Sequence, residues 1–252
     1  MANVISKGLS QGEYLRLMAL EDVNVFEKII EWEEQDYVNL ESLLNQLDIV
    51  NDAKESKTTD KGKVLEDIAR YVIDKTFFFK VCSNIKTTTN EIDQVVLFTK
   101  HGKQALHKYQ LSRELIPIPD DYFLAECKNY SKALGVTWIG KFYGLLTACN
   151  CNFGIIFTTL GVTGQENGWK DSYGLMRAYN LIESYRNNKD FSIIEINIED
   201  IRLMLEQRIN LFDLIKSKIE GLRVGCTYEQ LLDGIQHENV EQIRDVILKE
   251  IV

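Results

Sequence analysis

The run Gly154-Ile155-Ile156-Phe157-Thr158 constrains the fold more than any other stretch of this chain. It is uninterrupted by charge, too short for a stable helix, and apolar at both odd and even positions, so it reads as a strand buried on both faces. Such a strand needs a layer above it and a layer below it. The surrounding sequence supplies them. Residues 136–148 and 172–185 carry helical signals on either side of the run, and 191–196 reads as a further strand. Upstream, Val64, Leu65, Ile68, Ala69, Val72 and Ile73 fall on one face of a helix, with Asp60 as the expected N-cap. Strand candidates follow at 76–83, 92–98 and 122–127. From residue 61 the element order is therefore α-β-β-β-α-β-α-β. That order gives an α/β fold, a small mixed sheet with helices on both sides.

The flanks read as helical. Val25, Ile29, Ile30 and Trp32 form one amphipathic pattern, and Leu40, Leu43, Leu44 and Leu47 form another. Ser10 and Glu13 have capping-box spacing, and residues 51–61 read as a polar linker. Beyond the last strand, Asn197 is expected to cap a helix running to about residue 219, with short helices near 228–232 and 240–251. The expected division is an acidic helical region at 1–60, a core at 61–197 and a helical region at 198–252.

Charge sharpens the division. The whole chain carries −9, but residues 1–60 hold 5 basic and 13 acidic side chains, whereas residues 61–190 hold 17 basic and 13 acidic. Local charge, more than the total, decides what a cleft accepts. Five cysteines with no CxxC spacing suit a reducing compartment, and with three histidines they argue against a structural zinc site. No apolar run reaches the ~18 residues of a membrane span, and no basic-then-apolar leader pattern opens the chain, so a soluble, cytoplasmic protein without membrane contact is expected. GxSxG and GxxxxGK[ST] are both absent, which leaves serine-hydrolase and phosphate-loop chemistry without support.

The chemistry concentrates in two fragments, Asn90-Glu91-Ile92-Asp93 and Glu126-Cys127-Lys128-Asn129. Each places a carboxylate at the end of an apolar strand, where an ionised group is costly unless something compensates it. A divalent cation shared by the two carboxylates would do so, and Mg²⁺ suits oxygen donors. Alternation puts Glu126 and Lys128 on one face of a strand and turns Cys127 to the other, leaving its backbone carbonyl as a possible further ligand. Lys128 would then stand beside an activated water.

Asp93 followed by Glu126-x-Lys128 resembles the PD-(D/E)XK nuclease motif, with Ile92 in place of the motif's proline. The wider pattern is similar to the Mrr-type restriction endonuclease domain. Lys61-Gly62-Lys63-Val64-Leu65-Glu66 resembles that group's opening helix with its auxiliary glutamate. Residues 154–159 resemble its strand after the second helix, and Gly161-Val162-Thr163 the turn beyond. The resemblance covers roughly residues 61–190. It implies a Mg²⁺- or Mn²⁺-dependent endonuclease acting on DNA, double-stranded by expectation, in restriction or anti-phage defence. Asp93 and Glu126 would hold the metal, with Glu66 in support, and Lys128 would activate the water. A partner-gated or non-catalytic module on the same fold is the competing reading, with a homodimer or a protein partner docking on the acidic flanks.

The 33 residues from Asp93 to Glu126 exceed what a hairpin needs. This insert carries Lys100, His101, Lys103, His107, Lys108 and Arg113 with no acid between Thr99 and Arg113, and reads either as a solvated loop or as a basic loop for a phosphate backbone. Lys141 is a further candidate phosphate contact, whereas Trp138 and Trp169 read as packing groups. Glu66 could instead pair with Arg70 one helical turn on.

Overall fold

A computed structural model describes residues 11–53, 57–86, 91–165, 168–188 and 190–236. Five strands form one sheet in the order β1 (Phe79–Lys86), β2 (Glu91–Phe98), β3 (Tyr122–Lys128), β4 (Phe153–Thr158) and β5 (Ser192–Asn197). The first three are antiparallel, and β3, β4 and β5 are parallel. Parallel neighbours need a crossover, and the helices α5 (Val136–Ala148) and α6 (Asp171–Asn187) provide the two crossovers. The mixed sheet flanked by helices is the architecture expected from the order of elements. β4 is buried at every position, as the opening run requires.

The two faces of the sheet are covered differently. On one face Phe79, Val96, Phe98, Phe123, Ala125, Ile155 and Phe157 are buried beneath α3 (Thr58–Asp74) and α8 (Leu211–Val224). The rings of Phe79 and Phe123 lie 5.2 Å apart, and those of Phe79 and Phe212 6.2 Å apart. Each such side chain contributes about 1.5–3 kcal/mol by leaving water. On the other face α5 lies across β4. Gly154 makes this approach possible, because a Cβ there would stand 2.6 Å from the Phe142 ring. Cover on this face thins toward β2, where Val95 is half-buried and Leu97 exposed.

The helical flanks join the same core. In α1 (Gln11–Ile30), Phe26 stacks on Phe78 and Phe212, and Leu40, Leu44 and Leu47 of α2 (Glu34–Asp52) are fully buried. Three acids of α2 are engaged within the chain: Asp36 pairs with Lys75 (2.5 Å), Asp48 with Arg202 (2.8 Å) and Glu34 with Arg208 (2.7 Å).

Several local expectations need correction. The insert at 100–109 is helical: α4 (Lys100–Tyr109) is capped by the Thr99 hydroxyl, which accepts from the Gly102 amide, and a 3₁₀ turn follows at Arg113–Leu115. The helix after Asn197 breaks. Asn197 caps α7 (Ile198–Gln207) as expected, but Arg208 turns into the left-handed region and Asn210 caps α8 anew. The N-cap of α3 is Lys57, which places Asp60 inside the first turn. α9 (Tyr228–Gln236) is longer than expected. Ser10 and the helix near 240–251 lie outside the described residues. Among those residues no helix is long and apolar enough to cross a membrane.

Candidate active site

The antiparallel pairing of β2 with β3 matches Gln94 to Ala125. One step further along the same register, Asp93 comes beside Glu126, and opposed residues share a face. Two residues on, Lys128 projects from that face as well. The predicted trio thus meets at the edge of α5 cover, where the sheet begins to open. Lys128 Nζ lies 2.6 Å from Glu126 Oε1 and 3.2 Å from Asp93 Oδ2. The Cys127 amide donates to Asp93 Oδ2 at 3.1 Å, so the backbone of β3 fixes the carboxylate of β2. Cys127 itself is buried on the opposite face; burial, with the nearby carboxylates of Asp93, Glu66 and Glu126 adding to it, pushes its thiol well above its ordinary range.

Glu66 approaches from α3. The fully buried Gln94 holds this helix in place, its Nε2 donating to the Glu66 carbonyl at 3.1 Å. Arg70 is turned away, donating to Ser83 Oγ at 2.5 Å. Burial and the charge of Asp93 raise the Glu66 pKa. Burial likewise raises that of Glu126, with Lys128 opposing and Asp93 adding to the rise. For Lys128, burial works against the charge, but Glu126 and Asp93 outweigh it and hold the ammonium above its ordinary value. Lys128 thus sets a positive charge beside the two carboxylates, suited to stabilising developing negative charge.

Two carboxylates meet one ammonium, a third, Glu66, adds its charge from nearby, and all their donor atoms are hard oxygens. That surplus of negative charge fits a divalent cation such as Mg²⁺ or Mn²⁺, with Asp93 and Glu126 as the central donors. Among the described residues no three His, Cys, Asp or Glu side chains are gathered into a ready-made cage. Asp93 and Glu126 meet at Lys128, and Glu66 acts on them through its charge.

A cleft of about 400 Å³ opens from Glu126 and Lys128 toward α5, walled by Trp138, Lys141, Phe142, Leu145 and Ile156. Trp138 is half-buried here, with Lys128 Nζ 5.1 Å and Lys141 Nζ 4.7 Å from its ring. Trp138 packs against the core as expected, and also takes a place in the wall of the site. Lys141 at i+3 was the available signal, but Lys128 comes from a different element. Trp169 is exposed, with Arg177 stacked 4.2 Å from its ring.

The other basic candidates lie on or beyond α4. Lys100, His101, His107 and Lys108 are exposed on that helix, and Lys103 pairs with Asp121. Arg113 is directed inward, donating to the carbonyls of Ile116, Ile118 and Asp120 at 2.7 to 3.2 Å, so its guanidinium holds the turn before β3. Asn129 ties the end of β3 to its surroundings. Its Nδ2 donates to Asn51 Oδ1 (3.1 Å) and to the Lys61 carbonyl (2.9 Å), and its Oδ1 accepts from Thr159 Oγ1 (2.7 Å).

No protein-family model matches the chain, and no curated protein matches it. Among solved structures it is similar to the DNA modification-dependent restriction endonuclease AspBHI, at 12% identity and a TM-score of 0.35, over 78% of this chain and 42% of that one. The chain spans less than half the length of that enzyme.

Proposed function

We propose that this chain is a metal-dependent endonuclease that hydrolyses phosphodiester bonds in DNA, with restriction of foreign DNA as the setting its sequence resemblance implies. One observation carries the reading: Asp93 and Glu126, from neighbouring strands, converge on the single ammonium of Lys128 at 3.2 and 2.6 Å, at the border between covered and open sheet. Asp93 and Glu126 would hold the divalent ion, with the Cys127 carbonyl as a further donor and Glu66 adding negative charge from α3. The ion would supply Lewis-acid activation of water and phosphate. The protein's own groups do the rest. The β3 backbone holds Asp93 in place through the Cys127 amide. Lys128 places positive charge where negative charge grows as water attacks the phosphorus and the leaving oxygen departs.

Cleavage of supercoiled plasmid by the purified chain, with Mg²⁺ or Mn²⁺, tests this. Nicking or linearisation is expected in the wild type, to be abolished by chelator and lost in both Glu126→Ala and Lys128→Ala. Folded wild-type protein that leaves plasmid intact with either metal, or equal cutting by both variants, would overturn it.

A further inference from the structure

We propose that the cleft between β3, β4 and α5 receives one unpaired nucleotide, with its base against the Trp138 indole and its phosphate on Lys141. This deepens the nuclease reading by naming the form of strand the site prefers. Three observations combine. The first is the mixed lining. Phe142 and Ile156 offer an apolar wall, while Lys128 and Lys141 offer positive charge. An isolated phosphate would leave the apolar wall unused, and an apolar ligand would leave the Lys141 ammonium without a counter-charge. A nucleotide carries a flat π-face and an anion on one frame, and so matches both.

The second is the unequal standing of the two lysines. Lys128 is anchored by Glu126 and Asp93. Lys141 is exposed, rests 4.7 Å from the indole, and pairs with no carboxylate among the described residues. A base arriving on that ring displaces a side chain that gives up only a cation–π contact, and a phosphate next to the base compensates it at once. Trp138 and Lys141 share one face of α5, three residues apart, so ring and ammonium are presented together.

The third is direction. Glu126 and Lys128 form the floor at one end of the cleft, so a nucleotide seated on Trp138 delivers its phosphodiester to the carboxylates. A base within an intact duplex is stacked on both sides and has no free face to offer. An unpaired or extruded base does.

The test is binding of a short oligo(dT) to the Glu126→Gln protein, followed by tryptophan fluorescence. The expected result is quenching on titration, with affinity about tenfold above that for an abasic strand of equal length. Quenching should persist in a Trp169→Phe background, and affinity, read by the anisotropy of an end-labelled oligo(dT), should weaken in Trp138→Phe, which keeps a smaller π-face, and fall to the abasic level in Trp138→Leu. Unchanged thermal unfolding in the Trp138 variants would show that they fold. Equal affinity for the abasic strand, undiminished affinity in Trp138→Leu, or tighter binding of the paired duplex than of the single strand would each overturn the proposal. Neither arm requires cleavage, so a failed plasmid assay leaves this test standing. A failure here likewise leaves cutting by Asp93, Glu126 and Lys128 untouched.

Discussion

Two clusters in this molecule are assembled from the same parts, two carboxylates and one lysine. In the first, Asp93 and Glu126 share Lys128. In the second, Glu195 of β5 and Asp200 of α7 share Lys218 of α8, at 3.7 and 2.6 Å. Glu126 and Glu195 even stand in one lateral row of the sheet, both paired in register with Ile156. The difference is in what surrounds them. The side chains of the second cluster are 3 to 8% exposed, against 15 to 23% in the first. Glu195 also accepts from Thr158 Oγ1 (2.7 Å) and Gln165 Nε2 (3.1 Å). Asp200 accepts from the Asn197 amide (2.7 Å) and the Tyr228 hydroxyl, and Lys218 lies 4.3 Å from the Tyr228 ring. Charge that is fully satisfied and buried ties β5, α7, α8 and α9 together. Both clusters border a cleft, but only in the first is the charge left partly open, and so available for chemistry.

The contrast can be broken most sharply at the two lysines. Lys218→Met would leave two buried carboxylates without their counter-charge and should cost about 3–5 kcal/mol of stability, read as a lower denaturant midpoint. Lys128→Met should leave the fold standing while cleavage falls by about a hundred- to a thousandfold. If Lys128→Met destabilised as much as Lys218→Met, the division between a structural and a chemical cluster would fail.

A finer test uses pH. Burial raises the Glu195 pKa, with Asp200 adding and Lys218 opposing. Its folded pKa therefore lies above its unfolded value, so the associated stability is fully present below the ordinary glutamate range and is lost as pH rises through the folded pKa. Glu195→Gln removes that slope. Unfolding free energies of the two proteins, measured from acid to neutral pH, should therefore shift in favour of the variant as pH rises. Parallel curves would mean that Lys218 fully compensates the buried charge. The smallest effect is expected at the exposed pair of Lys103 and Asp121, where Lys103→Ala should change stability by about 0–1 kcal/mol. A larger loss there would show that exposure is a poor guide to which ion pairs matter in this fold.

The sequence made the sheet legible wherever strand burial writes itself in apolar residues. β4, with every position buried, is the clearest case, and α5 has the predicted bounds for the same reason. α4 was unreadable because its buried face is made of Gly102 and Ala105, which fit against neighbouring groups without any hydrophobic signal. The break at Arg208 carries no glycine or proline; only the cap at Asn210 marks a new start. Asp93, Glu126 and Lys128 were legible because strand alternation and register are local rules. The Glu195 cluster left one clue, a lone acid inside the run Ile193-Ile194-Glu195-Ile196, but Asp200, Lys218 and Tyr228 come from three later elements that only the folded chain brings together. The place of Trp138 in the cleft wall was hidden for the same reason.

The missing Cβ of Gly154 acts as a depth stop for the cleft. Phe142 sits where a methyl group would otherwise be, and Leu146 is nearly as close, with Phe142 also lining the cleft. The separation of α5 from the sheet, and with it the gap between the indole of Trp138 and the carboxylate of Glu126, is therefore set by a single hydrogen atom. A methyl group at that position would act as a shim: pressing on Phe142, it would lift the helix and widen the slot without altering Trp138, Lys141, Glu126 or Lys128.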